Sequence, residues 1–123
     1  MGVFSVLFLG KTKKGLFIMK RTIKNLLKEN SRVYVYLSDK TVANIFLKDA
    51  ESADFTFGDG VKPTARECDS VMAINNNSTI NYVGIIGHIA FIASEKVGDR
   101  TLLKVDYKRY ISGDENYIIQ HIT

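Results

Sequence analysis

Gly58-Asp59-Gly60-Val61-Lys62 is the one loop in this chain that places glycines, a carboxylate and a lysine together. Glycines admit positive φ, successive N–H groups in such a turn can face an anion, and the lysine adds a positive charge. Gly58, Asp59, Gly60 and Lys62 are therefore candidate ligand- or anion-binding residues. Their spacing is neither that of a P-loop nor that of a dinucleotide fingerprint, and a structural turn explains the same residues. Asp59, Glu67 and Asp69 offer oxygen ligands to a divalent cation, but at the spacing of no known metal loop. No metal ion and no cofactor is expected. Cys68 and His88 are the one thiol–imidazole pair near the core, since His121 falls in the tail. A nucleophilic pair needs mutual contact and a third group to orient the imidazole, and no sequence feature places them together. A structural cysteine and a packing or surface histidine are the expectation.

Lys20, Arg21, Lys24 and Lys28 form the second candidate set, for polyanion contact. On a helix over 20–29 the lysines fall at i, i+4 and i+8, away from an apolar stripe of Ile23, Leu26 and Leu27. A solvated face is the plainer explanation. No aromatic residue interleaves with the lysines, as single-strand binding would favour. Charge is distributed unevenly. Residues 1–32 carry eight basic side chains against Glu29, a net +7, whereas residues 33–123 carry nine basic and twelve acidic ones, a net −3. A basic arm on a mildly acidic body suits a polyanion or membrane-surface partner. That balance depends on Lys11, Lys13 and Lys14, which a start at Met19 would remove.

The elements that must position these residues follow from pattern. Val33-Tyr34-Val35-Tyr36-Leu37 is a strand, β-branched and aromatic throughout. Ser38-Asp39 caps a helix over about 41–52 with Val42, Ile45, Phe46 and Ala50 on one face. Phe55 and Phe57 alternate on a strand at 54–57, so 33–57 reads as a β-α-β unit with parallel strands. Thr64-Ala65-Arg66-Glu67 matches a capping box. Residues 70–74 and 79–83 form a hairpin across Asn75-Asn76-Asn77-Ser78. A two- or four-residue loop groups Val71, Ala73, Ile80 and Tyr82 on one face; a three-residue loop groups Met72, Ile74, Ile80 and Tyr82. Over 85–97, Ile86, Ile89, Ala90, Ala93 and Val97 fit a helical face with Gly98 as its C′ residue, and a strand at 88–92 is the alternative. Thr101–Tyr107 is a strand. Tyr117-Ile118-Ile119 is a last short strand or a packing tail.

These elements predict a single α+β domain over 19–123. Its sheet is mixed, of four to six strands, with two or three helices mainly on one face. Residues 1–18 are expected to be a peripheral or non-native leader: the apolar run is short, without a basic n-region or a small-residue cleavage site. No segment reaches the length of a membrane span. One cysteine excludes an internal disulfide framework, and the expected compartment is the cytoplasm.

Four stretches resemble a group of small proteins encoded on conjugative or phage-like elements of Gram-positive gut bacteria. They are Arg32-Val-Tyr-Val-Tyr-Leu37, Phe55-Thr-Phe-Gly-Asp-Gly-Val-Lys-Pro-Thr64, Val71-Met-Ala-Ile-Asn75 with Thr79-Ile-Asn-Tyr-Val-Gly84, and Lys104-Val-Asp-Tyr107. The resemblance covers about 19–123. It implies a mobile-element context and brings no assigned activity and no functional residue. The expected function is a non-enzymatic module that binds a protein partner. Two alternatives stand beside it: weak, non-specific nucleic-acid binding through the basic N-terminal helix, and a small enzyme or ligand-binding domain centred on Gly58–Thr64. The sequence does not set the oligomeric state.

Overall fold

Alternation along Ser31–Tyr36 sends Val33 and Val35 to one face of a strand and Tyr34 and Tyr36 to the other, and both faces are used. The computed structural model describes residues 21–120. The expected leader at 1–18, Met19, Lys20 and His121 lie outside the described residues. Ser31–Tyr36 is β1, and Lys40–Ser52 is α1. The Asp39 carboxylate caps α1 by accepting the Val42 N–H at 2.9 Å, as expected of Ser38-Asp39. Then come β2 (Thr56–Phe57), β3 (Val71–Asn75), β4 (Thr79–Tyr82), α2 (Gly84–Ala93), β5 (Lys96–Val97), β6 (Arg100–Asp106) and α3 (Tyr107–Ile111).

The six strands form one mixed sheet in the order β2-β4-β3-β1-β6-β5. β1 pairs parallel with β6 and antiparallel with β3, and β2 pairs parallel with β4. β1 and β2 thus run the same way, as the β-α-β reading requires, but the β3–β4 hairpin is inserted between them. Its loop has three residues, with Met72 opposite Tyr82 and Ile74 opposite Ile80. Ser78 takes φ 65°, the left-handed position that closes a three-residue hairpin. This selects the face of Met72, Ile74, Ile80 and Tyr82.

The first face carries the larger core. Phe46, Leu47 and Ala50 of α1, Tyr107 and Tyr110 of α3, and the buried Ile23 and Leu26 pack on Val33, Val35, Met72, Ile74, Ile80 and Val105. The second face holds Tyr34, Val71, Ala73 and Leu102 under Ala90 and Phe91 of α2. Two helices therefore lie on one face and one on the other. The tail at Tyr117–Ile119 runs beside β6: the Asp106 N–H donates to the Tyr117 carbonyl and the Ile119 N–H to the Lys104 carbonyl, each at 2.8 Å.

Three local expectations are corrected. The described part of the helix expected over 20–29, residues 21–29, is not one: Lys24–Leu26 is a single 3-10 turn without a side-chain cap. An uncapped segment of that length has little intrinsic helicity, and it is pinned instead by burial of Ile23 and Leu26 and by Arg21. The capping box does not close on Glu67, because Thr64 donates both its N–H (3.2 Å) and its hydroxyl (2.7 Å) to Glu51 of α1. Gly98 does not end α2, which stops at Ala93; it takes φ 64° in the two-residue turn between β5 and β6.

Candidate functional site

The glycine loop is held as a turn. The Gly60 N–H donates to the Phe57 carbonyl at 2.8 Å, the Phe57 N–H to Val61 at 2.9 Å, and the Val61 N–H to the Asp59 carboxylate at 3.3 Å. The N–H groups of Gly60 and Val61, which an anion would need, are thus satisfied within the loop. Asp59 pairs with Arg66 at 2.6 Å, and the guanidinium lies 4.8 Å from the centre of the Phe57 ring. Hydrogen bonding from Arg66 holds the Asp59 carboxyl below its ordinary value, and the same contact raises Arg66. Bonding from Thr64 lowers Glu51 in the same way. Gly58 and Lys62 are exposed. Asp59–Arg66 ties the loop to the segment after it, and Thr64 ties that segment to Glu51 of α1.

Two open clefts flank the N-terminal half of α1. One, of about 350 Å³, is lined by Ser38, Asp39, Lys40, Glu67, Cys68 and Asp69, among others. The positive end of a helix dipole attracts anions, but Asp39 already caps this one and Glu67 and Asp69 add negative charge. Cys68 donates weakly to the Ala43 carbonyl, 3.8 Å away. Burial, helped by Asp69, pushes its thiol up to about 12, so the nucleophilic thiolate is suppressed. The second cleft, of about 390 Å³, sets Lys40, Lys48 and Arg66 around Thr64 and Glu67. Neither cleft contains Asp59, Lys62 or His88.

Cys68 and His88 have separate partners. His88 Nδ1 lies 2.8 Å from the Gly84 carbonyl, to which it donates, while Nε2 lies 3.5 Å from Ser70 Oγ and 3.9 Å from Asp69. Serine and carboxylate face the same ring nitrogen, whereas a catalytic triad needs them on opposite nitrogens. Among the described residues no group of three Asp, Glu, His or Cys side chains could hold a metal ion, and Asp59, Glu67 and Asp69 are not brought together. Lys24 and Lys28 do not share a helical face, because the described part of the segment is not a helix. Lys24 and Lys28 are exposed. Arg21 donates to the carbonyls of Tyr110 (3.0 Å) and Asp114 (2.8 Å) and lies about 5 Å from the ring centres of Tyr110 and Tyr117. It fastens the segment to the fold.

The surface that stands out is on α2. Gly87 is buried against Tyr34 of the second sheet face, and Phe91 stacks on Tyr36 with ring centres 6.1 Å apart. The other side of the same helix presents Ile85 (81% exposed), Ile86 (82%), Ile89 (58%) and Ile92 (73%) to solvent. Ile85, Ile89 and Ile92 are four and three residues apart and line up along the helix, with Ile86, three before Ile89, on their flank, so the four share one side. Together they expose on the order of 500 Å² of surface, a size that marks interaction sites. The sequence pattern predicts Ile86 and Ile89 on the packed face with Ala90 and Ala93. The available signal was Gly84–Ala93 itself, which holds no charged residue. Only one side of such a helix can pack on the sheet. No protein family, curated protein or solved structure matches the chain. No helix among the described residues is long and apolar enough to cross a membrane.

Proposed function

We propose that this protein is a non-enzymatic binding module that docks another protein chain on the outward face of α2. The carrying observation is the stripe of Ile85, Ile86, Ile89 and Ile92, which leaves four large apolar side chains in water on a helix otherwise seated on the sheet. A helix apolar all round is normally covered all round. The candidate chemical groups support the same reading from the other side: Cys68 is a suppressed nucleophile, His88 faces a backbone carbonyl, and the glycine loop is satisfied internally. A mobile-element setting in a Gram-positive bacterium and cytoplasmic residence go with this proposal, on the resemblance and composition given above.

The test is retention of partners from a bacterial lysate by the full chain and by Ile89→Glu. The substitution places a charge at the middle of the stripe and spares the buried side of α2. A protein retained by the wild type and lost from Ile89→Glu is the expected result. Equal retention by both, or retention by neither when the wild type is also monomeric, counts against the α2 face.

A further inference from the structure

We infer that the chain seated on α2 is a second copy of this protein, in a two-fold dimer with the two α2 helices antiparallel. The inference rests on the docking reading above and names its partner. Ile85, Ile89 and Ile92 follow the four-then-three spacing of a two-helix seam, with Ile86 beside them. In an antiparallel pair centred near residue 89, Ile89 meets Ile89 of the partner subunit at the axis and Ile85 meets Ile92 of the partner subunit. A ten-residue helix is about 15 Å long, so both ends of the stripe are engaged at once.

Charge singles out self-pairing. A two-fold interface lays a surface on its own copy, so any charge near the axis faces a like charge. Residues 83–94 contain no Lys, Arg, Asp or Glu. His88, the titratable group on the helix, is turned to the Gly84 carbonyl, with Ser70 and Asp69 beside it. At the rim Asp69 stands beside the first half of α2, and Glu95 and Lys96 follow its end. Antiparallel pairing turns the Asp69 end of one copy toward the Glu95–Lys96 end of the other, whose opposite charges cancel in sum, so the rim does not oppose the pairing. The stripe of the two copies together amounts to about 1,000 Å², the threshold of a specific interface.

The other occupants fit less well. An interfacial membrane helix carries lysine or arginine along its polar side, and α2 has neither. Residues 1–18 precede Arg21, which is fastened to Tyr110 and Tyr117 on the opposite face of the sheet.

Sedimentation velocity on the full chain, from about 1 to about 100 μM, reads the association directly. The expected result is a concentration-dependent dimer, weakened about 100-fold or more by Ile89→Glu and by Ile89→Lys, as at a central interface anchor. At concentrations low enough for the wild type to be monomeric, both variants keep its melting temperature, because Ile89 is largely exposed in the single chain. Mixing the two variants restores a dimer, since Glu and Lys then meet at the axis. A wild-type monomer at the top concentration overturns the inference, as does a dimer indifferent to both substitutions or a mixture that stays monomeric. A monomeric wild type that still retains a lysate protein through Ile89 ends self-pairing and leaves the docking reading standing. A monomer that retains nothing ends both.

Discussion

Gly87 is the residue on which the seat of α2 turns. A β-carbon there would lie 2.4 Å from Val83 Cβ and 2.8 Å from its Cγ2, with Tyr34 Oη 3.6 Å away. Alanine would gain about 1 kcal/mol of helix propensity. The clash is with a β-carbon fixed to the backbone, which cannot swing aside, and overpacking of this kind costs about 1–3 kcal/mol. The clash wins: Gly87→Ala is expected to lower stability by about 1 kcal/mol. Urea unfolding checks this, and an alanine variant at least as stable as wild type would show that Val83 and α2 shift freely. The same scale explains why candidate chemical residues resolved into structural ones. Cys68 is a suppressed thiol beside Ala43, and Arg21 is engaged by two rings and two carbonyls. Residue type is visible in sequence; the neighbour that consumes its charge or its proton comes from residues as distant as Asp114.

Elements were legible where local pattern and tertiary packing agree. β1 is β-branched and aromatic, α1 has both cap and stripe, and the hairpin has its asparagines; all three stand as read. The segment at 20–29 has an apolar spacing that fits a helix and a 3-10 turn alike, and the tertiary anchors at Ile23, Leu26 and Arg21 chose the turn. The hairpin register depended on one residue of loop length, which Asn75-Asn76-Asn77-Ser78 does not encode. The α2 helix is legible as a helix, but its packed side is not, because isoleucine occurs around most of the cylinder and local pattern does not show that Gly87 and Phe91 are the residues that meet Tyr34 and Tyr36. The ties at Asp59–Arg66 and Thr64–Glu51 belong to this scale as well. Asp59 and Glu51 both have lowered carboxyl values, through Arg66 and Thr64 respectively. Their stabilisation is therefore complete above the unfolded values, about pH 4, and is lost as pH falls through the lower folded values. Asp59→Asn with Glu51→Gln should flatten the fall of melting temperature between about pH 4 and pH 2. An acid limb as steep as that of wild type would mean that neither contact couples to folding.

At the scale of the molecule the sheet is loaded unequally. Its first face is covered by α1, α3, the 3-10 turn and the tail around Phe46, Tyr107 and Ile74. Among the described residues its second face has α2 alone, held through Gly87, Ala90 and Phe91 over four buried side chains. Stability follows buried apolar contact, so the two layers should open at different free energies. Native-state amide exchange is expected to place β1, β3 and β6 at the global limit and α2 several kcal/mol below it. Phe91→Ala removes the ring that stacks on Tyr36 and lies 5.8 Å from the Lys104 ammonium. It should lower the opening free energy of α2 by about 2 kcal/mol and leave α1 amides nearly unchanged. Measured on Ile89→Glu, these values report the single chain. On the wild type at high concentration, a covered α2 should gain protection while the central strands do not, because mass action stabilises only the opening that uncovers the interface. Uniform exchange across both layers in Ile89→Glu would show that α2 belongs to the same cooperative unit as the main core, and that its isoleucines are carried on a rigid face.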